Sequence, residues 1–589
     1  MHRLYALIIA FLAVALSGGS LFGQAESKLS RKLQKALENP STGAEVASWI
    51  FFTDKGADLA RQLPGAEASL TSNAYRRRLH SRGAGNLVDE YDLPLNAAYL
   101  GEVAARVKRI RHKSRWLNAV SVEAGAAALK ELAALPFVEK IDLVYQRSLP
   151  LAPLEIPGES GGVAAPGPIG FRKPTALDYG ESYTQNSQIN VPPLHDAGYS
   201  GQGVVIGMLD SGFNNLGHEA LDHLHILATW DFVNGDSIVS DQPGQMGNDD
   251  HGTYTLSTIA GYQPGQLIGP AYGASFLLAK TENVDWERHV EEDHWVAGAE
   301  WADSLGADII SSSVGYRDGF TNGEPDYGPE DMDGQTTIVS RGAAIAASRG
   351  ILVVNSAGNE GPAGASGNTL IAPADGEEVI AAGAVHSAGK RSIFSSMGPT
   401  ADGRIKPDVM ALGEAVKVVS AFSLNGYTAT QGTSFSCPLI AGAAALILEA
   451  NPGASHVQII EALRQTAGNS FSPNNAIGWG IANAFQASEF IRNGGLLPPV
   501  SHALEILQNY PNPFNSFTRF DYNLPQAGRV KITVYNLRGQ KVAVLLDQFQ
   551  EAGLYRGLMW QAGGLSSGVY IVALSANGRQ TRRKMVYVK

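Results

Sequence analysis

Val204-Val205-Ile206-Gly207-Met208-Leu209-Asp210-Ser211-Gly212 is an apolar run that stops on a carboxylate and a small-residue turn. It reads as a strand ending at Asp210. The pattern repeats outward from it: residues 274–279 read as a strand, and 294–305 as a helix leading through Gly306 to a strand at Ile309. Residues 336–348 follow as a helix and 351–354 as the next strand. Strands alternating with helices predict an α/β fold, a parallel sheet flanked by helices. Ligand sites in such sheets lie at the carboxyl ends of strands. Asp210 sits at one such end, and Asn359, in Asn355-Ser356-Ala357-Gly358-Asn359-Glu360-Gly361, lies a few residues past another.

Two further stretches carry chemistry. His251-Gly252-Thr253 offers an imidazole. Gly432-Thr433-Ser434-Phe435-Ser436-Cys437-Pro438 offers a hydroxyl at the start of a small-residue, apolar helix that runs to Asn451-Pro452. A serine hydroxyl becomes a nucleophile when a histidine takes its proton and a buried carboxylate holds that histidine. Pro438 is placed in the first helical turn, where a missing N–H costs little. The helix N-terminus carries roughly +0.5 charge, and the Ser434 N–H and the Asn359 amide are candidate oxyanion donors.

Each residue also has a plainer reading. Thr-Ser before an apolar run is a good helix cap. A lone His beside Asp249 and Asp250 could sit in a solvated turn or bind a metal, although no His-Glu-x-x-His motif is present. Cys437, three residues after Ser434, reads as a small buried hydrophobe rather than a thiol nucleophile.

Taken together and in this order, the motifs resemble those of the subtilisin-like serine peptidases (peptidase S8) over roughly residues 178–489. The order Asp, His, Ser belongs to that family and not to chymotrypsin-like or α/β-hydrolase enzymes. Ile393-Phe394-Ser395-Ser396-Met397-Gly398-Pro399, Gly403-Arg404-Ile405-Lys406-Pro407-Asp408-Val409 and Ile309-Ile310-Ser311-Ser312-Ser313-Val314-Gly315 are similar to further family signatures. The family usually has a second His after His-Gly-Thr, where this chain has Tyr254. The resemblance implies an endopeptidase with Asp210, His251, Ser434 and Asn359 as its catalytic residues and Ser313, Val314 and Gly315 pairing with substrate backbone. No cofactor is required for that chemistry. Family calcium sites depend on variable loops, so structural calcium stays open and the metal site unknown. Because His251 must be neutral to act as a base, activity is expected to fall below ~6.5.

Two rivals remain. One is a catalytically inactive surface binding module on the same scaffold; the other is an esterase, which shares the chemistry. The Gly-x-Ser-x-Gly elbow is absent, since Ser436 takes its last place.

The rest of the 589 residues divides by composition. Residues 1–25 read as a signal peptide: His2 and Arg3 precede a 13-residue apolar run from Leu4 to Leu16, and small residues follow. Residues 26–150 read as an α+β domain. Its predicted strands are 46–53, 117–122 and 138–144, with helices at 99–112 and 124–135. It resembles the family's propeptide, an intramolecular inhibitor and chaperone; an unrelated α+β domain is the alternative. Residues 151–177 are a Pro/Gly-rich linker where maturation cleavage is expected. The catalytic domain spans 178–495, and 496–504 link it to a small β-sandwich at 505–589. That last unit resembles the type A C-terminal sorting domain of type IX secretion, which implies passage across an outer membrane to a secreted or cell-surface location, with the secretion machinery as partner. The alternative is a generic immunoglobulin-like accessory domain.

A formal net charge of -11 argues against nucleic acid as a partner; it is the subtilase resemblance that implies proteins or peptides as substrates. Cys437 is the single cysteine, so no intrachain disulfide forms. After the N-terminal run, no segment reads as apolar for long enough to span a membrane.

Overall fold

The computed structural model describes residues 27–38, 45–146, 176–321, 323–362, 367–470, 472–495, 503–509 and 511–589. The signal peptide and most of both predicted linkers lie outside the described residues.

The N-terminal part folds around a four-stranded sheet in the order β2-β3-β1-β4. The strands are β1 (Val46–Phe52), β2 (Arg109–Ser114), β3 (Ala119–Ala124) and β4 (Val138–Gln146). Helix α1 (Ser72–Arg82) precedes β2, its N-terminus capped by the Thr71 hydroxyl, which accepts from the Ala74 N–H. One sequence expectation is corrected here. Residues 99–112 were expected to be helical, but the helix is Ala97–Ala104, and residues 109–114 form β2. Arg109 and Arg111 are good helix formers in isolation. In the fold Arg109 pairs with Glu123 across the ladder and Arg111 with Asp293, contacts that local propensity does not contain.

The central unit holds seven strands in the order β13-β12-β11-β10-β5-β9-β6. In chain order they are β5 (Val205–Asp210), β6 (His225–Asp231), β9 (Ser275–Lys280), β10 (Ile309–Ser312), β11 (Leu352–Ser356), β12 (Val379–Val385) and β13 (Val409–Leu412); the two-residue strands β7 (Tyr262–Gln263) and β8 (Leu267–Ile268) make a separate hairpin. Every pairing in the large sheet is parallel. Side-chain alternation divides its apolar residues between two cores. Ile206, Met208, Ile309 and Val354 face helices α2 (His251–Ala260) and α5 (Thr433–Ala450). Leu209, Ile310 and Val353 face helices α3 (Val290–Leu305) and α4 (Ile338–Ser348). After β5 the chain places β6 at the edge and β9 between β6 and β5, then crosses over to add β10 to β13 outward on the other side of β5. The switch point therefore lies beside β5, whose last residue is Asp210.

Helix α5 is long and apolar enough by composition to cross a membrane, contrary to the expectation that no later segment is. It is the core helix of this unit, 83% buried. A hairpin of β14 (Val416–Val419) and β15 (Tyr427–Thr430) leads into it.

The C-terminal residues form two antiparallel sheets. One holds β16 (Glu505–Ile506), β17 (Phe517–Leu524) and β20 (Gly553–Gln561). The other holds β18 (Gly528–Asn536), β19 (Lys541–Gln550), β21 (Gly568–Ala576) and β22 (Arg579–Tyr587). Phe520, Ile532, Val572 and Met585 fill the core between them.

The N-terminal sheet packs on α3 and α4. Trp49, Phe51, Trp116 and Leu117 share a core with Trp295 and Val339. Around this contact lie buried carboxylates of α3, each met from the N-terminal unit. Asp293 accepts from Trp49 Nε1 (2.5 Å), Ser121 Oγ (2.6 Å) and Arg111 (3.1 Å). Glu300 accepts from the Ser114 hydroxyl and the Arg115 N–H. Asp303 pairs with Arg77 and, at 2.9 Å, with Arg78. Burial pushes Asp293 up to about 6 and Glu300 to about 7. Burial also pushes Asp303 upward, but Arg77, Arg78 and Arg115 outweigh it and hold that carboxyl low. Removing one member of a buried ion cluster costs about 3–5 kcal/mol, because the remaining charges lose their partner. Asp303→Asn is therefore expected to speed amide exchange in β2 and β3 by on the order of 10²–10³-fold, measured by hydrogen exchange on the uncut precursor. Unchanged exchange would show that the apolar contact alone holds the two units together.

Candidate active site

Asp210 ends β5 with its carboxylate fully buried. Oδ1 accepts from the Ser211 N–H (2.9 Å) and from His251 Nδ1 (2.6 Å), and Oδ2 accepts from Thr255 Oγ1 (2.8 Å). A carboxylate can only accept, so Nδ1 carries the proton and Nε2 presents a lone pair. His251 is the first residue of α2. Gly252 lets that helix approach: a Cβ there would lie 2.3 Å from Gly212 O and 3.1 Å from Asp210 Cβ. Burial lowers the His251 pKa, but the charge of Asp210 and its hydrogen bond outweigh this, Asp249 and Glu282 add to them, and the imidazole is pushed up to about 9.

Ser434 is the second residue of α5. Gly432 precedes the helix at φ 142°, a conformation in which a side chain would be strained. The Ser434 hydroxyl donates to the Ser313 carbonyl (3.3 Å), and it shares no hydrogen bond with His251 among the described residues. The His251 ring lies beside that of Phe435, with centroids 5.7 Å apart. Pro438 is the sixth helical residue rather than part of the first turn. It has no N–H to give the carbonyl four residues back, which belongs to Ser434. The Ser313 hydroxyl takes that place, donating to Ser434 O at 2.7 Å. The proline thus frees an acceptor on the serine, and β10's extension ties it down.

Asn359 lies three residues past β11 and is exposed. Its Oδ1 accepts from the Thr433 N–H (2.9 Å) and the Thr433 hydroxyl (3.1 Å). Because the Thr433 N–H must donate, the amide orientation is set, and Nδ2 is left as the donor, 3.6 Å from where a Cβ on Gly432 would lie. Ser313, Val314 and Gly315 continue from β10 without a strand partner among the described residues. The Val314 carbonyl accepts from Asn355 Nδ2 at 3.1 Å. Cys437 is buried against the Ser312 and Val354 carbonyls, and burial pushes its thiol up to about 12, far from thiolate chemistry at neutral pH. Among the described residues no three His, Cys, Asp or Glu side chains gather as a metal site, so no calcium ligand is assigned.

Residues 201–480 match the model of the subtilase family. Subtilisin NAT of Bacillus subtilis subsp. natto is 34% identical over 301 residues, which is 50% of this chain and 70% of that protein. The chain belongs to the subtilase family. The subtilisin of Bacillus pumilus is likewise 34% identical over 289 residues, covering 48% of this chain and 92% of that protein. Among solved structures, the MycP3 protease from the type VII (ESX-3) secretion system aligns with a TM-score of 0.42 and 19% identity, covering 53% of this chain and 91% of that one. On either side of the subtilase region, residues 47–155 match the peptidase S8 propeptide domain of Bacteroidota and 508–589 the secretion system C-terminal sorting domain. This subtilase is a serine peptidase made as a precursor, and its tail supports export to the cell surface or beyond.

Three features of the candidate site were not read from the sequence. They are the Thr255 hydroxyl on Asp210, the Ser313–Ser434 tie, and the Asn355 amide on Val314. Thr255 had a signal, since it lies four residues after His251 on one helix face. The other two join segments with no sequence proximity.

Proposed function

We propose that this chain is a secreted serine endopeptidase working through Asp210, His251 and Ser434. The Ser434 hydroxyl turns from the Ser313 carbonyl to His251 Nε2, gives up its proton there, and attacks the substrate carbonyl carbon. Asp210 holds the Nδ1–H and stabilises the imidazolium. Asn359 Nδ2 and the Ser434 N–H, which in the first helical turn has no acceptor among the described residues, receive the oxyanion. His251 then delivers the proton to the leaving amine, and water cleaves the acyl-enzyme by the reverse path. The backbone of Ser313, Val314 and Gly315 binds the peptide as an added strand. Residues 26–150 act as inhibitor and folding aid until cleavage in 151–177, and 505–589 direct export.

The observation that carries this reading is the buried Asp210 carboxylate gripping His251 Nδ1 at 2.6 Å, at the mouth of the sheet's switch point. The test is fluorophosphonate labelling of the matured protein, followed by casein digestion. Labelling at Ser434 with digestion supports the proposal. A folded, processed protein that neither labels nor digests would be a binding module instead.

Asn359→Ala is expected to lower kcat by about 10²–10³ with little change in KM, the size of one lost oxyanion donor in subtilisin. Steady-state kinetics on a peptide substrate checks it; a change confined to KM would assign Asn359 to ground-state binding.

A further inference from the structure

The geometry points to Thr255 as a positioning residue that fixes the rotation of the Asp210 carboxylate, so that one turn of α2 grips both of its oxygens. His251 and Thr255 stand at positions i and i+4 of that helix and therefore on one face. His251 Nδ1 meets Oδ1 at 2.6 Å and Thr255 Oγ1 meets Oδ2 at 2.8 Å. The imidazole and its orienting carboxylate are thus aligned by a single rigid element rather than by two loops.

A local explanation competes. The Thr255 hydroxyl also lies 3.1 Å from the Gly252 carbonyl, the ordinary back-bond of a threonine within a helix. Ser257 and Thr258 make such bonds to the Tyr254 carbonyl, at 2.8 and 2.9 Å. A hydroxyl has one proton to give, and three observations send this one to Asp210. The carboxylate oxygen is nearer. It carries charge, which makes the bond about twice as strong as one to a neutral carbonyl. No other donor reaches Oδ2 among the described residues, and both Asp210 and Thr255 are 0% exposed, so water does not replace it. A buried carboxylate oxygen without a donor is costly, and rotation about Cβ–Cγ would relieve that cost at the expense of the bond to His251.

This inference rests on the triad reading. It is tested on the full chain with Thr255→Val, which keeps the shape and removes the hydroxyl, and with Thr255→Ser, which restores it. Thr255→Val is expected to lower kcat roughly ten- to a hundred-fold with KM unchanged, the range of one lost hydrogen bond to a charged group. The acid limb of kcat/KM should move down toward the ordinary histidine value as the Asp210–His251 bond loosens. Thr255→Ser should recover most of both. The same pair of substitutions in Ser434→Ala chains reports without any need for activity or processing. There Thr255→Val should weaken the far-downfield proton resonance of His251 Nδ1–H, and Thr255→Ser should retain it. Turnover within about twofold of wild type, with limb and resonance unmoved, would overturn the inference even if the valine variant melts earlier, since packing alone changes stability only. A wild-type chain that fails to label with fluorophosphonate would instead overturn the triad reading.

Discussion

Ser434→Ala is expected to lower kcat by about 10⁶, the size known for the serine of subtilisin, a relative of this chain. The geometry explains why so little would survive. Cys437, three residues on, offers a thiol in place of the hydroxyl, but it points into the core against the Ser312 and Val354 carbonyls with its thiol pushed up to about 12. Ser436 is also committed to the core, its buried hydroxyl lying 3.2 Å from both the Ala411 and the Leu412 carbonyl, to one of which it donates. The residual rate would come from the oxyanion donors and substrate binding, which the substitution leaves in place. The variant should also accumulate uncut, with the N-terminal unit still docked on α3 and α4, seen as a single long species on a denaturing gel. Processing at the wild-type rate in purified Ser434→Ala would mean that another peptidase, or another residue, makes the maturation cut.

Asp210→Asn is expected to lower kcat by about 10⁴, the loss known for this change in a Ser-His-Asp enzyme. An asparagine presents an amide where His251 now finds an acceptor, favouring the wrong tautomer. The change should also appear in the pH profile. A catalytic base works in its neutral form, so kcat/KM rises as pH climbs through the histidine pKa. The sequence alone suggested a limb near the unperturbed ~6.5. With Asp210 holding the imidazole up to about 9, the wild-type limb should lie above that value, on the alkaline side. Asp210→Asn removes the strongest upward influence and leaves burial, which lowers the pKa, so its limb should fall toward or below ~6.5. A wild-type limb at or below 6.5 would show that solvent, rather than Asp210, governs the charge of His251.

Much of the candidate site was legible because its motifs are local. Asp210 closes a strand, His251 opens a helix, and Ser434 follows a glycine that only the start of α5 requires; each is signalled by its immediate neighbours. The parallel sheet was legible for a similar reason, because strand and helix periods alternate along one stretch of chain. Where reading failed, the deciding contact came from far away. Residues 109–114 have the composition of an exposed helix and become a strand because Glu123 and Asp293 lie opposite them. Pro438 was placed in the first turn but is the sixth helical residue, because the helix already begins at Thr433, whose N–H the Asn359 side chain accepts.

The sequence by itself determined the fold class, and it named the chemical groups of the candidate site and their order along the chain, because strand and helix periods and short motifs are properties of neighbouring residues. Only the tertiary structure decided how those groups are held. The Thr255 clamp on Asp210, the Ser313 tie that replaces the bond Pro438 cannot make, and the burial of Asp293, Glu300 and Asp303 under the N-terminal unit join residues up to 244 positions apart. Hydrogen bonds and desolvation act through space. Their partners are chosen by packing, and packing exists only once the chain has folded.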